Sequence, residues 1–157
     1  MIVVIGVGNL LMKDDGFGIH VIEKLKGERL EVEIVDAMTD TNLLLSAMDG
    51  KRKAIIVDAM DFDGDVGEVR VIRLNPERVP FELNLTSHDL HFKDVLAIAK
   101  DVYRLPEEIV IIGVKPKEIK PEIGLSEELE RKIDEVVKLI KEEVTSFCTS
   151  RKRSSSG

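Results

Sequence analysis

Residues 2–18 read IVVIGVGNLLMKDDGFG, and the way this stretch divides decides the fold. Ile2–Val7 holds only aliphatic residues and one glycine. A strand with one wet face alternates apolar and polar residues, whereas a run apolar on both faces belongs in the middle of a covered, parallel sheet. The run ends in Gly6-Val7-Gly8-Asn9, and a helical pattern follows from about Asp14 to Lys26. Phe17, Val21 and Leu25 recur every fourth residue there, with Gly18 and Ile22 beside them, and Gly27 follows the end. Asp14 and Asp15 complement the partial positive charge at the start of such a helix.

The same alternation of short apolar runs and amphipathic stretches continues along the chain. Glu31–Asp36 reads as a strand and Asn42–Ala47 as a short helix. Ala54–Ala59 is a second buried strand, interrupted by Asp58. The Asp- and Gly-rich segment Asp61–Gly67 marks a turn, and Glu68–Leu74 then predicts a strand antiparallel to the one before it. Asn75–Thr86 is irregular, with Pro76 and Pro80, after which Thr86 or Ser87 can cap a helix from about His88 to Tyr103. Ile109–Val114 is another buried strand, and Ser126 caps a last helix reaching about Val144. The expected architecture is α/β: a three-layer α/β/α sandwich around a mostly parallel twisted sheet of about five strands with one antiparallel hairpin strand. It occupies a single domain, residues 1–144, and Thr145–Gly157 loses periodicity and reads as a disordered tail.

Bulk properties narrow the function. The 157 residues suffice for one domain with a real core, and 43% are apolar. No apolar run approaches the roughly 20 residues that span a bilayer. The start of the chain has no basic region or cleavage site and reads as a strand, not a leader. A net charge of −7 repels a phosphate backbone, which argues against nucleic acid as a partner. Cys148 is the single cysteine, which excludes an internal disulfide and fits a reducing cytoplasm. Abundant Lys and Glu with no glutamine point to a thermophilic source.

In open α/β sheets, ligands bind beyond the carboxyl ends of the strands. Three features fall there: Asp15 in the loop after the first strand, Asp58 at the end of another, and His88 at a helix start. Carboxylate oxygen and imidazole nitrogen suit a borderline divalent ion such as nickel or zinc, and three such ligands leave positions open. One carboxylate suffices to cap a helix, so Asp14 is assigned to structure and Asp15 to chemistry. Gly6-x-Gly8 also suggests a dinucleotide site with Asp36 as its acid, but the third glycine position holds Leu11, and two carboxylates at the helix start repel a pyrophosphate. His20 falls on the polar side of its helix. His91 sits one turn from His88 and flanks an apolar face, and Cys148 lacks a partner motif.

Four segments together resemble the hydrogenase maturation endopeptidases: GVGNLLMKDDGFG (Gly6–Gly18), AIIVDAMDFDGDVGEVRVI (Ala54–Ile72), TSHDL (Thr86–Leu90) and IIGVKPKEIKPEIGLS (Ile111–Ser126). Their order and spacing match over about residues 1–144. The resemblance implies a cytoplasmic endopeptidase, aspartic-type or metal-assisted, that removes a C-terminal peptide from the nickel-loaded precursor of a nickel-iron hydrogenase large subunit. It implies that Asp15, Asp58 and His88 read nickel carried by the substrate, a site that zinc or cadmium could also fill. Asp36 joins them as a candidate catalytic residue, and Asp58 or Asp36 is a candidate general base on water. After the second strand the family reads Asp-Gly-Gly-Thr, whereas this chain has Asp36-Ala37-Met38-Thr39. Gly64-x-x-Gly67-Glu68 resembles the branch that serves membrane-bound, energy-converting hydrogenases. The rival from another class is a non-catalytic, nickel-sensing chaperone that docks the same precursor.

Overall fold

A computed structural model describes residues 1–78 and 92–155. In chain order the elements are β1 (Ile2–Val7), α1 (Phe17–Leu25), β2 (Glu33–Met38), α2 (Thr41–Met48), β3 (Lys53–Ala59), β4 (Val69–Leu74), α3 (Phe92–Ala99), β5 (Glu108–Val114), α4 (Glu127–Glu130) and α5 (Ile133–Ser155). Lys13–Gly16 forms a 3-10 turn immediately before α1. The five strands order as β2-β1-β3-β5-β4, with every neighbouring pair parallel except β4 and β5.

The apolar runs of β1, β3 and β5 occupy the three central positions, as their two-sided hydrophobicity demands. Phe17, Val21, Ile22 and Leu25 of α1 join Val136, Ile140 and Val144 of α5 over one face of the sheet. Leu44, Leu45 and Met48 of α2 join Leu96 and Ala99 of α3 over the other. The result is the expected three-layer sandwich. From β1 the chain crosses to β2 on one side, then returns through α2 to β3 on the other side of β1. The strand order therefore reverses between β1 and β3, which opens a crevice outside their carboxyl ends.

Three expectations need correction. β4 is antiparallel to β5, not to β3. β5 pairs with β3 along its whole length, from Lys53–Glu108 to Ala59–Val114, so β4 has only the outer side of β5 to join. The Asp61–Gly67 segment thus crosses the end of β5 instead of closing a hairpin, held by Gly67 N–H on Lys115 O and Lys115 N–H on Glu68 O. The last helix is split into α4 and α5, and the Ser126 hydroxyl makes no cap bond. Finally, α5 runs on to Ser155, well past Val144. Phe147 lies on the face that carries Ile140 and Val144 and packs half-buried against the core, so the apolar stripe extends into what reads as a tail.

At the end of β2, Met38 stands at φ 51 and is 60% exposed. Its N–H donates to Asp36 Oδ1, and its carbonyl accepts from Gly8 N–H. A left-handed backbone costs a non-glycine residue about 1 kcal/mol. Met38→Gly should therefore raise stability by up to about 1 kcal/mol, an upward shift of roughly 2–4 °C in calorimetric melting.

Candidate functional site

The 3-10 turn Lys13–Gly16 sits against the end of β3 because three glycines let backbones meet. A Cβ on Gly18 would lie 2.2 Å from Val57 O and 2.6 Å from Val7 O, so α1 starts directly on the two strands that flank the crevice. A Cβ on Gly6 would meet Gly18 O at 2.8 Å. Gly8 has φ 140, and a Cβ there would lie 1.9 Å from Asp15 O. The glycines that suggest a phosphate loop therefore serve close packing. The amides that would grip a phosphate are already used. Asn9 N–H donates to Asp15 Oδ2 and Leu11 N–H to Asn9 Oδ1, while those of Met12 to Asp15 go to backbone carbonyls. No row of amides is left to make an anion-binding nest, and the dinucleotide reading fails on this loop.

Asp15 is 1% exposed and lies one helical turn before Gly18, beside the crevice. Asp58 is fully buried at the carboxyl end of β3, directly after the Val57 carbonyl that Gly18 touches. Strand alternation puts Ile55, Val57 and Ala59 in the α1/α5 core and Ala54, Ile56 and Met60 in the α2/α3 core. Asp58 therefore leaves the sheet on the α2/α3 side. The chain thus places two buried carboxyl groups at one strand switch point.

His88 and His91 lie outside the described residues. α3, which begins at Phe92, covers the face toward which Asp58 points. Among the described residues no group of three His, Cys, Asp or Glu side chains forms a metal cluster. Asp15 and Asp58 are two donors of a type that suits a divalent ion, and completing a site on them takes a further ligand.

Asp36 is placed differently. It is level with Gly6 and, through Gly6, with Val57. Its alternation with Ile34 puts it on the α1/α5 side, opposite to Asp58. Its Oδ1 holds the Met38 N–H, so this carboxylate supports its own turn. His20 is half-buried, not solvated, and its Nε2 is enclosed without a hydrogen-bond partner among the described residues. Cys148 is exposed on α5.

Asp14 caps no helix, contrary to its assignment from sequence, but it is structural in another way. Fully buried, it accepts the N–H groups of Lys117, Glu118 and Ser126 and the Ser126 hydroxyl, at 2.7–3.1 Å. These donors lie more than one hundred residues away, and no local pattern reveals them. Around this edge, Leu11 (63% exposed) and Ile123 (79%) stand beside the backbone bridge of Met12 and Glu122, with exposed Met38 at the neighbouring strand end.

An open α/β sheet with a crevice at its switch point is a frame on which ligand sites are built, and comparison with known proteins narrows its class. The hydrogenase maturation protease family model matches residues 19–143. A putative hydrogenase maturation protease of Methanocaldococcus jannaschii is 35% identical over 152 residues, 91% of this chain and 96% of that protein. The hydrogenase 2 maturation protease of Escherichia coli is 32% identical over 138 residues, 85% of this chain and 84% of that protein. Among solved structures, the hydrogenase maturating endopeptidase HybD from E. coli superposes with a TM-score of 0.75 at 29% identity, covering 88% of each chain. The chain belongs to the hydrogenase maturation protease family, hydrolases of protein processing.

Proposed function

We propose that this chain is an endopeptidase that removes a C-terminal peptide from the nickel-loaded precursor of a nickel-iron hydrogenase large subunit, and that Asp15, Asp58 and His88 read the nickel carried by that precursor. One observation carries the reading: two buried carboxylates, from segments far apart in sequence, lie at the same strand switch point. Carboxylate oxygens at that place are donors of the type that a divalent cation takes. In this reading the metal is part of the substrate and fixes the scissile bond beside the acids. Hydrolysis adds water across the peptide C–N bond: oxygen goes to the carbonyl carbon, and a proton ends on the leaving amine. A carboxylate of this crevice can carry that proton, while nickel can polarise the carbonyl. The exposed Leu11, Met38 and Ile123 give the precursor an apolar rim to settle on.

The test is mass spectrometry of purified precursor mixed with this protein, with and without nickel in the precursor. The expected result is a nickel-dependent loss of the C-terminal peptide mass. Binding with no change of mass would instead make the protein a docking chaperone. Cleavage that is equal without nickel would remove the metal from the recognition step.

A further inference from the structure

The carboxylate of Asp14 belongs to no part of the chemistry above, yet it is buried more completely than any surface tie needs to be. All the partners named for it lie in the loop between β5 and α4, residues 115–126. Backbone bonds reinforce the same seam: Lys13 N–H to Glu122 O, Asp14 N–H to Glu118 O, and Glu122 N–H to Leu11 O. The Lys13 ammonium adds ion pairs to Glu118 and Glu122, and Glu118 is held below its ordinary carboxylate range chiefly by that ammonium. Lys13 itself stands at φ 47, a conformation that needs such ties to persist.

We infer that Asp14 is a positioning residue, which locks the β5–α4 loop onto the 3-10 turn and thereby fixes the carboxylate of Asp15 in the crevice. The inference rests on Asp15 acting in the proposed peptidase site. The tie works by leverage. Asp15 follows Asp14 directly in a four-residue turn, so whatever anchors one side chain sets the direction of the other. Four donors converge on the Asp14 carboxylate and hold that turn from the outside. Hydrogen bonds to an ionised acceptor are roughly twice as strong as those to a neutral one. An asparagine side chain at this position would turn an NH2 group toward donors on one side and so could not replace the carboxylate. The loop is a wall of the site as well as a clamp, since Ile123 and Leu11 stand together on its rim.

The experiment is steady-state processing of the nickel-loaded precursor by the full chain, run well below each variant's melting temperature, together with limited trypsin digestion. Lys117 is the informative tryptic site, because Lys115 and Lys120 both precede proline and resist the protease. Asp14→Asn should lower kcat roughly 10- to 100-fold with KM within about twofold, and tryptic cleavage after Lys117 should accelerate. Ser126→Ala keeps the carboxylate and loses only the hydroxyl bond, so it remains testable if Asp14→Asn fails to fold. It should lose roughly two- to fivefold in kcat. Faster loop cleavage with a wild-type kcat in either variant would make Asp14 a purely structural residue and overturn the inference. A slow variant whose loop resists trypsin as the wild type does would overturn the locking role. Asp15→Asn is the control for the underlying site. A wild-type rate in that variant would remove Asp15 from the site, and with it any positioning role for Asp14, and absence of cleavage by the wild type would overturn the peptidase reading itself, whereas a slow Asp15→Asn beside a fast Asp14→Asn overturns the positioning alone.

Discussion

Replacing Asp58 by Asn should lower single-turnover processing of the nickel-loaded precursor roughly 100- to 10,000-fold, the usual cost of losing a proton-transfer group. The substitution keeps the volume of the side chain at a fully buried strand end. The strand around it is apolar on both faces and paired on both sides, by β1 and β5, so the sheet does not depend on this side chain for its pairing. The variant should therefore keep its circular dichroism spectrum while losing cleavage. A folded Asp58→Asn chain that processes at the wild-type rate would remove Asp58 from the site and leave the crevice without its deepest carboxylate. The apo precursor serves as the companion substrate, because a residue that reads metal and a residue that moves a proton respond differently to its absence.

Replacing Glu143 by Ala should cost about 3–5 kcal/mol, the range found when one partner of a buried ion pair is removed. Glu143 on α5 takes the Lys53 ammonium at 2.8 Å and pairs with the Arg73 guanidinium. Lys53 is only 1% exposed at the first residue of β3, and its ammonium also donates to the Glu143 backbone carbonyl at 3.1 Å and lies 3.5 Å from Glu108 and 5.5 Å from the Phe147 ring. Without the Glu143 side chain the ammonium would stay buried with a backbone carbonyl and one more distant, partly exposed carboxylate. A loss of less than about 1 kcal/mol in denaturant titration would show that Glu108 and the residue-143 carbonyl together satisfy Lys53.

The same cluster sets a pH dependence. The Arg73 guanidinium first, and the Lys53 ammonium next, hold the Glu143 carboxyl below the ordinary glutamate range. A group whose folded pKa is depressed contributes its full stability above its unfolded pKa, about 4.3 for glutamate, and loses it as pH falls through the lower folded value. Denaturation midpoints followed from pH 7 to pH 3 should decline in the acid range for the wild type. Glu143→Ala should show a lower plateau at neutral pH and a shallower acid decline. Parallel curves would show that other carboxylates dominate acid unfolding.

The cluster also shows why some of this molecule is invisible in its sequence. Lys53 opens a strand and Glu143 lies on a helix 90 residues later, so neither stands out locally. In the same way Asp14 looks like one of two equivalent acids at a helix start. Its true partners, Lys117, Glu118 and Ser126, appear only once β5 has been laid beside β3. By contrast, the placement of Asp15 and Asp58 at one edge is legible early. It needs only that Ile2–Val7 and Ala54–Ala59 be parallel central strands, because residues ending parallel strands share an edge. Asp36 shares that edge too, but alternation along β2 turns it to the opposite face, a distinction that the strand pattern already contains.

Local pattern was therefore enough for everything that neighbouring residues decide: which runs are buried strands, which stretches are helices, that the class is α/β, and which acids end the strands. Those features follow from side-chain periodicity and backbone preference over a few residues. Only the folded domain settled that β4 joins β5 instead of β3, that Phe147 draws the last helix past Val144, and that Asp14 ties a distant loop to the turn bearing Asp15. Each of these depends on competition among segments far apart in the chain for the same edge, face or hydrogen-bond donors. Such a competition is resolved by the packing of all the elements together, and no window of the sequence contains it.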